Sequence, residues 1–146
     1  LEVVLEAGDR VRGRLRQQSL LAGEMVVEGL RRDLGPGGDV VGADIRAALG
    51  QPIMSSGAGK VAYAGLMEIR GNVVIIDHGY GVYSAYAHLS QVHVTRGQSV
   101  REGQIIGMVG NTGRTSGAHF HWEIAVNGFF VDSADFVQMW LPGAGT

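Results

Sequence analysis

Apolar and polar residues alternate along most of this chain in short runs, and turn residues separate the runs. From about residue 40 the pattern predicts strands at 60–64 (KVAYA), 72–77 (NVVIID), 81–88 (GVYSAYAH), 92–94 (VHV), 104–110 (QIIGMVG), 118–126 (AHFHWEIAV) and 129–131 (FFV). Asn127 and Gly128 suit the two-residue turn of a tight hairpin between the last two. Only the end reads as helix, with Asp132 or Ser133 capping ADFVQMWL before Pro142. Residues 1–39 differ in character. LEVVLE reads as a strand, and RVRGRLR places Arg10, Arg12, Arg14 and Arg16 on one face, a basic stripe that could meet an anionic polymer or, with acidic residues flanking it, be a solvated strand face. The turn-rich DLGPGGD marks the expected boundary between a lead-in over 1–39 and a main domain over 40–146. The expected fold class is mainly β, an antiparallel sheet with a short C-terminal helix.

Composition narrows the chemistry. Twenty-four glycines in 146 residues fit many tight turns, and there is no cysteine, so thiolate metal sites and disulfides are excluded. A transition metal would have to be held by His, Asp or Glu. The formal net charge of −2 gives no general attraction to nucleic acid or anionic membrane. No run is long enough to span a bilayer. The chain starts at Leu1 and not at Met, so it is expected to be a fragment from which a signal peptide or anchor could have been removed.

Two strands carry the candidate chemistry. In SGAHFHWEI, residues i and i+2 share a face, so His119, His121 and Glu123 lie on one side and Phe120, Trp122 and Ile124 form a core face on the other. The same alternation in GVYSAYAHL groups Val82, Ser84, Tyr86 and His88 against Tyr83, Ala85 and Ala87. If these strands lie in one sheet, His88, His119 and His121 converge. Imidazoles ligate zinc and relay protons near neutral pH. His78 reads as a polar turn residue and His93 as a solvent-facing one.

These segments resemble the lysostaphin-type, or LytM-like, zinc endopeptidases that cut peptide cross-links in bacterial cell walls. ADIRAALGQPIMSSGAGKVAYAG, GNVVIIDHGYGVYSAYAHLS and RGQSVREGQIIGMVGNTGRTSGAHFHWEI match three family segments in order, from about Asp44 to Leu141. The resemblance implies an antiparallel sheet with a substrate groove, of the duplicated-hybrid-motif kind. It also implies zinc as cofactor, peptidoglycan peptides as partner and an exported location (periplasm, cell envelope or exterior). It assigns metal ligation to Asp44 and His121, and catalytic roles beside the metal-bound water to His88 and His119.

One position departs from the family. Four residues before Asp44, where the family motif has a zinc-binding histidine, stands Val40, and no histidine precedes His78. The family's upstream F-G-x-R turn is also not recognisable. Asp39, His88 or His119 could be recruited as a substitute ligand, but the expectation is a zinc site that is weak or empty. Two readings follow. One is a zinc metalloendopeptidase of the cell wall. The other is a pseudoenzyme that binds peptidoglycan or a protein partner, activating or scaffolding other wall enzymes. A pure carbohydrate-binding module ranks last, because it would not need three histidines and an aspartate together.

Overall fold

A computed structural model describes residues 3–4, 10–11, 30–34 and 40–133. Twelve strands lie among them. Two short ones, β1 (Val3–Val4) and β2 (Arg10–Val11), pair with each other. The rest form one ten-stranded sheet: β3 (Leu30–Leu34), β4 (Val40–Arg46), β5 (Pro52–Met54), β6 (Gly59–Met67), β7 (Gly71–Asp77), β8 (Val82–Val92), β9 (Ser99–Val100), β10 (Ile105–Val109), β11 (His119–Val126) and β12 (Phe129–Val131). Its main path runs β3-β4-β11-β8-β7-β6-β9 and every pairing is antiparallel. This is the mainly β architecture that the alternation predicts. The helix expected over ADFVQMWL lies outside the described residues, as does the turn segment 35–39.

The expected strands at 60–64, 72–77, 104–110, 118–126 and 129–131 all form, with ends shifted by a few residues. VHV is not a strand of its own, because β8 runs on to Val92. β8 is long because it serves two neighbourhoods. Its first half pairs with β11 and β7, and its second half pairs with β10. Through that pairing β10, and β5 beyond it, join the same sheet. Ile53, Ile106 and Val109 from those strands join Ile76, Tyr86, Phe120, Trp122 and Ile124 in one buried cluster. Burying such aliphatic and aromatic side chains contributes about 1.5–3 kcal/mol each. The core face of β11 is the one read from the sequence.

The β11–β12 hairpin turns at Asn127 (φ 51°) and Gly128 (φ 84°), both left-handed, as a type I′ turn requires. A strand from the lead-in, β3, pairs with β4 along its length.

Candidate metal and catalytic site

The site is assembled on the face of the sheet opposite the core. His121 on β11 sits directly across from Asp44 on β4 and from Ala87 on β8. One register step along, Glu123 faces Ala85. The alanines keep the sheet low beside the histidine. On the β4 side the fit is tighter: a Cβ added to Gly42 would stand 2.7 Å from His121 Nε2 and 2.9 Å from Glu123 Cγ. Only glycine lets β4 approach so closely.

β8 corrects the face assignment made from alternation. Val82, Ser84 and Tyr86 point to the core with Ile124 and Trp122, while Tyr83, Ala85 and Ala87 point to the site with Ala125, Glu123 and His121. His88 should then have faced the core. It does not, because β8 carries an extra residue there. Val74 pairs with Tyr86 but Asn72 pairs with Leu89, so Ala87 and His88 of β8 oppose Val73 alone. This is a β-bulge, and His88 takes φ 62°, rare for a residue with a side chain. Leu89 returns to the core and His88 is left on the site face. Its ring centroid lies 4.9 Å from that of His119 and 6.3 Å from that of His121. Backbone strain of this kind costs on the order of 1–3 kcal/mol and gathers at functional sites.

All four polar residues singled out in the sequence thus come together: Asp44, His88, His119 and His121. The groups that hold these side chains in place are not assigned by the sequence pattern. His121 donates from Nδ1 to Asp44 Oδ1 (2.7 Å) and from Nε2 to Glu123 Oε1 (2.8 Å). Glu123 in turn is ion-paired to Arg70. Glu123 was legible as the next residue on the His119–His121 face. Arg70 was not, because it precedes β7 in a turn without periodicity. Two backbone carbonyls set the other rings. His88 Nδ1–H donates to Thr112 O (2.8 Å) and His119 Nδ1–H donates to Gly117 O (2.8 Å). Each imidazole therefore keeps Nε2 as the proton-accepting nitrogen when neutral. His119 Nε2 lies 3.6 Å from Asp44 Oδ1.

The electrostatics follow from these contacts. Burial works against a charged His121, but hydrogen bonds to Asp44 and Glu123 override it and raise its pKa to about 9. Burial would raise Asp44 and Glu123, yet His121 beside Asp44, and His121 with Arg70 beside Glu123, hold both carboxyls below their usual range. Burial lowers His88, reinforced by its histidine neighbours and only partly offset by the Thr112 carbonyl. The cluster thus contains one imidazolium locked between carboxylates and one imidazole biased to the neutral form.

The other two histidines stand apart from the site. His78 donates from Nδ1 to Ala58 O and meets Ser84 Oγ at 2.7 Å. This joins it to a chain through Tyr86 and Ser56 that ties the 55–58 loop to β8. His93 is exposed and contacts Gln91.

The donor set can be tested against zinc. Zinc bonds of ~2.0–2.2 Å place two ligands of a tetrahedral ion roughly 3.4 Å apart. Asp44 Oδ1 and His121 Nδ1 face one another at 2.7 Å, so a modest opening admits a metal between them. Glu123 on the far nitrogen is the partner a metal-bound histidine ordinarily has. A full catalytic centre needs a third protein ligand. Among the described residues no group of three or more His, Cys, Asp or Glu side chains is placed to hold a metal ion. The described residues supply two of the donors of a zinc centre, and Asp39, a further candidate donor, lies outside them.

An antiparallel sheet presenting an Asp–His pair, two further imidazoles and a buried carboxylate on one face defines a domain built on the plan of a metallohydrolase. Residues 39–133 match the model of peptidase family M23, and the chain belongs to that family. It is 42% identical over 87 residues to the peptidoglycan DD-endopeptidase ShyA of Vibrio cholerae, a stretch covering 60% of this chain and 20% of the relative. Against such curated relatives the chain spans about a fifth of their length. Among solved structures it resembles the catalytic domain of the antimicrobial peptidase lysostaphin from Staphylococcus simulans. The TM-score is 0.67 and the identity 31%, covering 80% of this chain and 90% of that one. It also resembles a zinc-containing peptidase from Vibrio cholerae, with TM-score 0.66 and identity 34%, covering 82% of this chain and 37% of the other.

Proposed function

We infer that this domain receives peptidoglycan peptide cross-links in the groove over Asp44, His88, His119 and His121, and holds zinc too weakly for efficient hydrolysis. The observation that carries this reading is the donor set. Asp44 and His121 face each other with a supporting carboxylate behind them, while four residues before Asp44 in β4 stands Val40, a residue with no metal-binding atom. When bound, zinc would polarise the scissile carbonyl and activate a water. Asp44 and His121 are the residues that would hold it. The groove serves recognition, and the protein acts on the wall by binding, alone or as an activator or scaffold for a partner enzyme. Its place is outside the cytoplasm, where the peptidoglycan is. Among the described residues no helix is long and apolar enough to cross a membrane.

A second reading, a working endopeptidase, is favoured by one observation. His88 and His119 both have Nδ1 fixed by a backbone carbonyl, which is how a pair of proton-handling imidazoles is kept in register. Cleavage of isolated peptidoglycan and zinc content, measured for parent, Val40→His and His119→Ala, separate the two. The expected result is substoichiometric zinc and negligible cleavage in the parent, with both rising in Val40→His. Parent cleavage that falls on the order of 10²–10⁴-fold in His119→Ala would overturn the binding reading in favour of the enzyme.

A further inference from the structure

Four positions beyond His121 on β11, and on the same face, stands Ala125. Its direct cross-strand neighbours are Phe130 on β12 and Tyr83 on β8. Residues opposite one another across antiparallel strands point to the same side of the sheet. One row on the site face therefore reads Phe130, Ala125, Tyr83, two aromatic rings flanking a methyl group. Phe130 is 48% exposed and Tyr83 37%, and neither belongs to the buried cluster that holds the fold together. Asp77, opposite Tyr83 on β7, adds a carboxylate at the end of the row. Between this row and His121 the floor is Ala85 and Ala87 on β8 and, on β11, the buried carboxylate of Glu123 with its ion-pair partner Arg70 beside it.

We propose that Tyr83 and Phe130 form a saccharide subsite, which takes a pyranose ring of the glycan strand while its attached peptide runs along β11 to the histidines. This rests on the peptidoglycan reading of the groove. The chemistry suits the ligand: the C–H face of a sugar packs on aromatic rings, and the Asp77 carboxylate, which accepts from the Tyr83 hydroxyl, has oxygen lone pairs left for the sugar's hydroxyl groups. The spacing suits it too. Four residues of strand cover roughly 14 Å. An extended peptide reaches at most about 3.3–3.6 Å per residue, so a stem of about four residues bridges the sugar row and His121. The subsite thus selects peptide that is still joined to its glycan over free peptide of the same sequence.

The test measures binding of two probes to the 146-residue chain: glycan strands stripped of peptide by an amidase, and a synthetic stem tetrapeptide. Tyr83→Ala/Phe130→Ala is expected to weaken glycan binding on the order of tenfold and leave tetrapeptide binding within about twofold. Tyr83→Trp, which keeps a stacking ring, should retain glycan binding. Both rings are half exposed, and thermal unfolding of the double variant verifies that the fold is kept. Glycan binding equal in parent and double variant would overturn the proposal, and so would a parent that binds no glycan. A parent that self-associates through the row, and becomes monomeric in the double variant, would assign these rings to a second copy of the chain instead. Glycan binding without tetrapeptide binding would sink the groove reading and leave the saccharide subsite standing.

Discussion

Raising the pH of the metal-free protein from 6 to 10 should destabilise it, and His121 sets the size of the effect. In the unfolded chain this imidazole titrates near its ordinary value of about 6.5. In the folded protein it is wedged between Asp44 and Glu123 and titrates at about 9. A folded pKa above the unfolded one means the native state binds the proton more tightly. The stabilisation is then fully present below about pH 6.5 and is lost as the pH rises through about 9. At 1.36 kcal/mol per pKa unit, the difference is worth about 3 kcal/mol, a sizeable fraction of a small domain's stability. Asp44 and Glu123 do not add to this in the same window. Their lowered values give stability that is lost only on acidification, and they describe the same two contacts from the other side. His88 has the opposite sign to His121, since its lowered value costs stability as the pH falls below its ordinary range. Urea unfolding across pH 6–10 with a chelator present measures the slope. In Glu123→Gln, an uncharged amide faces His121 in place of the carboxylate and the slope should shrink. A parent whose stability is flat between pH 6.5 and 9 would refute the idea that His121 is an imidazolium held by two carboxylates.

Two further expectations concern the backbone around the site. Gly42→Ala places a methyl group within 3 Å of both His121 and Glu123 and should cost about 1–3 kcal/mol in unfolding free energy, with loss of any zinc retained by Asp44 and His121. An unchanged melting temperature would show that β4 can move away from β11. At the β8 bulge, His88→Gly should be more stable than His88→Ala by about 1 kcal/mol, because only glycine adopts φ 62° without strain. Equal stability of the two variants in denaturant melts would argue against a strained bulge.

How much of this was legible beforehand depends on whether local periodicity governs the position. β11 was readable in full, because its alternation between Phe120, Trp122, Ile124 and His119, His121, Glu123 is uninterrupted and one side meets a deep core. On β8 the same rule gave the wrong faces. Val82, Ser84 and Tyr86 look like the more polar set, yet they are the buried one, since Ser84 and the Tyr86 hydroxyl are satisfied inside by His78 and Ser56. A hydroxyl with a partner costs little to bury, so polarity alone misleads there. His88 reached the site through a second deviation, the bulge, which a single strand's pattern cannot show, because a bulge is a mismatch between two strands. The two deviations cancelled, and a mistaken face assignment named the right residue. Arg70 had no pattern to reveal it: it reaches Glu123 from a turn, and only the folding of β7 against β8 brings it there. Val40 is the reverse case, a position that the sequence marks more sharply than the fold does. The pairing of β4 with β3 is itself irregular there, since Asp33 faces Gly42 but Leu34 faces Val40, so β4 carries one extra residue beside it. Farther along β4 the pairing is regular again, and Asp44 stands opposite His121 whatever residue occupies position 40.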